Sequence, residues 1–300
     1  MKYNWSIIGH EKQLEMLEND LSSGNVSHAY LLSGPNSIGK YTVAKKMAGI
    51  LQCENDFCHS CSTCLQVDRG SHIDTVELKG NVDSIKIFEV RELINRCNMT
   101  RQSKYKVFLV QSLERMTHDA ANSFLKVLEE PPENTVFILT TNNIRNILPT
   151  IISRVRVIKF GTVSVNYLEN KLLDLYPEHK MDDLQKICLF SMGKTGKAVQ
   201  LMEHPDALAK YMEAYRIVVG FLANKNISSR FSYVDDLLED ESTFNTFFDV
   251  LFSVLRNNIL SGSLDGERFI PIIDSAHEAL SLLKKNVNSR LVLENLMLTL

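Results

Sequence analysis

Apolar positions recur along the chain in two rhythms, and the change between them marks the elements. Residues 8 to 23 set Leu14, Leu17 and Leu21 on one stripe at helical spacing. Ala29-Tyr30-Leu31-Leu32-Ser33 is a short apolar run stopped by Gly34-Pro35, which predicts a buried strand followed by a breaker. Residues 40 to 51 return to the helical rhythm. Thr75-Val76-Glu77-Leu78 predicts a second strand, and Ser84 stands where it can N-cap a helix carrying Ile87, Val90, Leu93 and Ile94. Residues 106 to 110 are almost continuously apolar, as in a strand covered on both faces. Thr117 or Asp119 opens a helix that runs through Leu128 and is closed by Pro131-Pro132. Residues 135 to 140 form a fourth strand, 149 to 154 a short helix, and 156 to 160 a last strand. Five strands alternating with helices predict an α/β domain: a parallel five-stranded sheet with helices on both faces.

Beyond about residue 163 the strand signals stop. Residues 164 to 206 carry short helical patterns broken by Gly193 and Gly196. Residues 207 to 300 carry wide apolar stripes such as Phe244, Phe247, Phe248, Leu251, Phe252 and Leu255. The expected division is an α/β domain at 1–163, a small helical domain at 164–206 and an all-α domain at 207–300. A chain of 300 residues fits two or three domains. With 44 % apolar and 23 % charged residues the composition is that of an ordinary globular chain.

Charge narrows the function classes. The net charge is −3, with 19 basic against 17 acidic residues up to residue 163 and 14 against 19 beyond it. Neither part is a bulk electrostatic magnet for nucleic acid. No apolar run approaches the roughly 20 residues of a membrane span. The first residues lack the pattern of a signal peptide, so no membrane partner and a cytoplasmic location are expected. Thiols stay reduced there.

Gly34-Pro35-Asn36-Ser37-Ile38-Gly39-Lys40 follows a predicted strand and opens a predicted helix. The pattern GxxxxGK in that setting is a phosphate loop, whose backbone N–H groups and helix N-terminus cradle phosphates while the lysine reaches the terminal ones. The chemistry also needs a Ser or Thr after the lysine to hold Mg²⁺, and an acid at the end of a neighbouring strand. Tyr41 and Gln111 stand at those two positions. Glu114 comes too late after its strand to point at the phosphates and is expected to face solvent. Gly34, Gly39, Lys40 and Tyr41 thus form a degenerate loop that binds nucleotide weakly or not at all and does not hydrolyse it.

Four of the six cysteines crowd into twelve residues, Cys53, Cys58, Cys61 and Cys64. Four soft thiolates in a reducing compartment suit a closed, structural Zn²⁺ site. The neighbours Glu54, Asp56, Phe57, His59, Asp68 and Arg69 give no positive balance, which argues against a nucleic-acid finger. Cys97 and Cys188 sit in apolar helical patterns and read as core, and His10 and His28 as packing residues.

Several strings now resemble a known family, the bacterial clamp loaders of the AAA+ class. They are Ile8-Gly9-His10, the run from His28 to Leu32, the cysteine insertion after the first helix, the run from Ala121 to Pro132, and Ser153-Arg154-Val155. The likeness is to clamp-loader subunits of DNA polymerase III, most closely those of the delta prime type, and covers most of residues 5 to 160. It implies a RecA-like AAA+ domain, a helical lid and a C-terminal collar in a ring with gamma/tau and delta subunits. That ring loads a sliding clamp onto primed DNA for a DNA-directed DNA polymerase, a nucleotidyltransferase complex active in DNA replication. The resemblance makes this chain a non-hydrolysing stator that lends Arg154, with Ser153 before it, as an arginine finger to a neighbour's ATP. Val155 departs from the cysteine of the family's Ser-Arg-Cys motif. Lys197 stands where such lids carry a nucleotide-sensing arginine, and Thr140, Thr141 and Asn142 match a sensor position. Two other readings stay open: an active ATPase of the gamma/tau type, and a zinc-dependent nucleic-acid binder acting alone.

Overall fold

The computed structural model describes residues 2–78, 84–223, 226–260, 266–285 and 287–300. Its first part runs α1 (Glu11–Ser23), β1 (Ala29–Ser33), α2 (Lys40–Gln52), α3 (Ser62–Arg69), β2 (Thr75–Leu78), α4 (Ile87–Cys97), β3 (Lys106–Val110), α5 (His118–Glu129), β4 (Thr135–Thr141), α6 (Pro149–Ile152) and β5 (Arg156–Lys159). The second part is all helix: α7 (Val165–Leu175), α8 (Met181–Ser191), α9 (Thr195–Glu203), α10 (Pro205–Ala223), α11 (Ile227–Glu239), α12 (Glu241–Leu260), α13 (Gly266–Leu283) and α14 (Ser289–Thr299). Two compact units divide the chain, Met1–Thr162 and Val163–Leu300.

In the first unit the strands lie parallel in the order β2-β3-β4-β1-β5. Side chains alternate across the sheet, so each strand feeds two cores. Tyr30, Leu32, Val107, Leu109, Val136 and Ile138 pack with Leu14 and Leu17 of α1 and Val43 and Met47 of α2. Leu31, Phe108, Val110, Phe137 and Leu139 pack on the other face with Val90 and Leu93 of α4 and Phe124 of α5. Continuous apolar strands are what burial on both faces requires.

Helix starts follow local hydrogen bonds. Thr117 caps α5, its hydroxyl accepting from the Ala120 N–H. Ser84 does not cap α4; Lys86 is the N-cap, and Glu89 returns a carboxylate to its backbone N–H at 2.7 Å. A carboxylate at the third helical position satisfies that N–H, and its charge favours the helix N-terminus as well. The α3 helix was hidden in the sequence by the cysteines, since its N-cap is Cys61, whose sulfur accepts from the Cys64 N–H.

In the second unit α8 packs on α12 and α9 on α10. The buried Arg230 of α11 donates to the Phe221 carbonyl near the end of α10 and to the Met297 carbonyl near the end of α14. One guanidinium thereby ties the ends of two helices to a third. No helix among the described residues is long and apolar enough to cross a membrane.

Candidate functional site

The phosphate loop leaves the C-terminal end of β1 and closes at Gly39, whose φ of 88° is a left-handed conformation that glycine adopts without strain. Gly34 is required by space: a Cβ there would lie 2.2 Å from the Phe160 carbonyl oxygen. His10 packs beside the loop with its ring edge-on to Phe160, and burial lowers its pKa.

Lys40 turns back onto its own loop. Its Nζ donates to the carbonyls of Gly34 and Pro35 at 2.7 and 2.6 Å, and to Asn142 Oδ1 at 2.9 Å. Burial pulls its pKa down to about 8, with the Glu114 charge opposing that shift. Tyr41 is half-buried, and its hydroxyl donates to Glu77 Oε2 at 2.7 Å. Burial, with the Glu77 carboxylate adding to it, raises the Tyr41 pKa far above the phenol range. Lys45 holds Glu77 from the other oxygen at 3.8 Å and donates to the Asp68 carbonyl of α3 at 2.7 Å. A tyrosine hydroxyl committed to a carboxylate is a poor replacement for the small hydroxyl that such loops use on a cation.

Glu114 does not face solvent as the sequence suggested. Ser112 adopts a left-handed backbone and a single 3-10 turn, Leu113–Arg115, follows it. That turn brings the Glu114 carboxylate back toward β4, where Oε1 accepts from the Asn142 backbone N–H and side-chain Nδ2. Neither Glu77 nor Glu114 stands out as a loop partner in the sequence. A lone acid inside the apolar strand β2 is the one signal for Glu77; for Glu114 there is none, because its direction depends on the backbone at Ser112.

The cysteine sulfurs come together at the C-terminal end of α2. All four lie within 4.8 Å of one another. Three separations are 3.8 to 3.9 Å, Cys53–Cys58, Cys53–Cys61 and Cys58–Cys64. A tetrahedron of metal–sulfur bonds of about 2.3 Å has edges of about 3.8 Å, so the four thiols fit one tetrahedral metal ion. Hydrogen bonds from the Ser60 hydroxyl and the Ser60 and Cys61 amides pull the Cys58 pKa down to about 5, favouring the thiolate a metal requires. The Phe57 ring lies on Gly49 of α2, where a Cβ would meet it at 2.3 Å. Cys97 and Cys188 are buried core residues, each with its pKa pushed up to about 12 by burial.

Ser153 and Arg154 follow α6, just before β5. Arg156 pairs with Tyr30 and Lys159 with Ser33 in the parallel register of β5 and β1. Arg154 therefore stands at the N-terminal end of the strands, opposite the C-terminal end from which its own phosphate loop leaves. Its guanidinium is partly exposed and bonds Glu129 Oε1 at 2.7 Å and the Thr150 carbonyl at 2.9 Å. The Ser153 hydroxyl donates to the Thr150 carbonyl and accepts from Arg154. Lys197 is buried in the second unit, bonded to Asp249 at 2.8 Å and set over the Tyr211 ring at 4.7 Å. Those partners account for its charge within its own unit. Thr140 accepts from the Ser112 N–H and the Thr141 carbonyl from the Gly34 N–H, so the end of β4 braces the loop.

The family described as DNA polymerase III, delta subunit, matches residues 9–164. The gamma subunit of DNA polymerase III from Buchnera aphidicola subsp. Acyrthosiphon pisum is 32 % identical over 212 residues, 68 % of this chain and 58 % of its own. The delta' subunit of DNA polymerase III from Bacillus subtilis is 27 % identical over 212 residues, 68 % of this chain and 64 % of its own. The chain thus spans less than two thirds of either relative. A solved structure of a DNA polymerase III gamma subunit-related protein from Thermotoga maritima superposes with a TM-score of 0.53 at 21 % identity, covering 95 % of this chain and 97 % of that one. The last likeness shows a shared fold.

Proposed function

Since the chain belongs to the DNA polymerase III delta-subunit family, we propose that it is a clamp-loader subunit that does not hydrolyse ATP. In this reading it acts as the delta prime-type stator of a ring with gamma/tau and delta subunits, helping to load a sliding clamp onto primed DNA in the cytoplasm. The observation that carries the proposal is the Tyr41–Glu77 hydrogen bond at the start of the phosphate-loop helix. It stands where a working loop presents a small hydroxyl to a cation, and Gln111 gives no acid at the end of β3. Arg154 cannot reach its own loop from the opposite end of the strands, which favours a role in trans on a neighbour's ATP. Its exposed pairing with Glu129 is worth little and is easily exchanged for a phosphate. The four cysteines hold one structural zinc: with four protein sulfurs there is no open position for chemistry.

The higher identity to a gamma subunit than to a delta' subunit favours the second reading, an active ATPase of the gamma/tau type. The experiment that separates the two is an ATPase assay on the purified chain, alone and after mixing with gamma/tau and delta. Background turnover alone, with formation of a ring on mixing, is the expected result. Turnover by the isolated chain that Lys40→Ala abolishes overturns the stator reading.

A further inference from the structure

Glu114 has no place in the site as the sequence presents it, yet its carboxylate is linked through Asn142 to the phosphate-loop lysine. An ammonium group has three N–H donors, and Lys40 uses three on Gly34, Pro35 and Asn142 Oδ1. None is left for a phosphate. Asn142 is itself oriented by Glu114, because its Nδ2 donates to Glu114 Oε1 at 3.0 Å, which leaves Oδ1 facing Lys40. The second carboxylate oxygen, Oε2, is buried and has no hydrogen-bond partner among the described residues. A desolvated negative charge there is close enough to Lys40 to oppose the effect of burial on it.

Resting on the reading that this chain does not turn over ATP, we infer that Glu114 is a positioning residue that keeps Lys40 bonded to its own loop through Asn142 and, by its own charge, keeps polyphosphate anions out. Two costs then face an incoming triphosphate or pyrophosphate. It has to break the hydrogen bonds of Lys40, and it has to approach a half-buried carboxylate whose charge repels it. The loop is filled by the chain's own charges rather than merely missing residues that hold a cation. A subunit built this way stays in one conformation whatever the nucleotide level, which is what a rigid member of a moving ring needs.

Replacing Glu114 by Gln separates charge from scaffolding, since Gln keeps a carbonyl oxygen for Asn142 and removes the negative charge. The experiment titrates the full-length chain with ATP and with inorganic pyrophosphate by calorimetry, for the unmodified protein, Glu114→Gln, and Glu114→Gln with Lys40→Ala. Glu114→Gln should bind both anions at least about tenfold more tightly than the unmodified chain, with an unchanged melting temperature, and the double variant should lose that gain. Equal affinity in the unmodified chain and a folded Glu114→Gln overturns the inference, because a purely structural role leaves binding where it was. If Glu114→Gln does not fold, Asn142→Ala frees Lys40 by the other route and should show a smaller gain, since the Glu114 charge remains; no gain there overturns the inference equally. ATP turnover by the unmodified chain is a separate outcome: it removes the stator reading and leaves the comparison of affinities to decide the role of Glu114.

Discussion

Single side chains at the phosphate loop show both how far local sequence reaches and where it stops. Tyr41 and Gln111 are visible as departures from a motif, because the motif fixes what a hydroxyl and a carboxylate would do at those positions. The roles of Glu114 and Glu77 become visible only in three dimensions, through a left-handed Ser112 and through the bonds of Tyr41 and Lys45 to Glu77. Lys40 gives a prediction at this scale. It keeps its proton to about pH 10.4 in an unfolded chain and loses it near 8 in the fold. Between those values the unfolded chain binds more protons, so stability from this group rises with pH across that window. Lys40→Met removes the titration. The difference in urea stability, unmodified minus Lys40→Met, should increase by up to about 3 kcal/mol from pH 7.5 to 10.5. Comparing the two proteins cancels the raised tyrosines common to both; a flat difference contradicts the buried, self-bonded state of Lys40.

Elements follow the hydrophobic rhythm wherever burial alone dictates it. All five strands stand where alternation and continuous apolar runs place them, to within a residue at their ends. The rhythm fails at α3, where Cys61, Cys64 and Val67 make the inward stripe and two of the three are metal-ligand candidates rather than aliphatic residues. It also fails at the start of α4, because the Glu89 carboxylate returning to the Lys86 N–H can start the helix without a cap from Ser84. The cysteine module has a small apolar cluster, Cys53, Phe57, Cys64 and Val67, too small to order its loop by burial alone. Freshly purified protein should therefore contain about one zinc per chain by elemental analysis. Removing it with a chelator should lower the melting temperature and expose the four thiols to alkylation, and restoring zinc should reverse both. A chain that holds no metal, with thiols equally protected before and after chelation, removes zinc from this module. The same treatment also reads the link from α3 through Lys45 to Glu77 and Tyr41, since losing α3 takes the Asp68 carbonyl from Lys45.

At the scale of the molecule, the sequence shows an α/β part followed by helices, and the parallel sheet follows from the alternation of strands and helices. What one chain cannot show is the other half of a composite site. In the proposed reading Arg154 is the residue through which that half is reached. It lies before β5 at the end of the strands remote from its own phosphate loop, tethered by Glu129 and two oxygens of its own turn. The tether orders the guanidinium without burying it, so a stronger anion can take it over. An arginine supplied in trans stabilises charge on a transferred phosphoryl group and is worth roughly 10³–10⁵ in rate at the site it serves. If each ring holds one copy of this chain, only one of its ATP sites would depend on Arg154. Arg154→Ala should leave folding and ring formation intact while lowering DNA- and clamp-stimulated ATPase in part and clamp loading more strongly. Arg154→Lys should recover only some of the loss, because an ammonium keeps the charge but lacks the planar fork that meets two phosphate oxygens at once. Glu129→Gln, which loosens the tether and spares the guanidinium, should not reduce either rate. The measurement is ATPase and loading by the reconstituted complex, after its assembly has been checked by gel filtration. Unmodified rates from a correctly formed ring carrying Arg154→Ala take Arg154 out of the mechanism, and a loss equally large with Glu129→Gln reassigns the pair to holding α5 and α6 together.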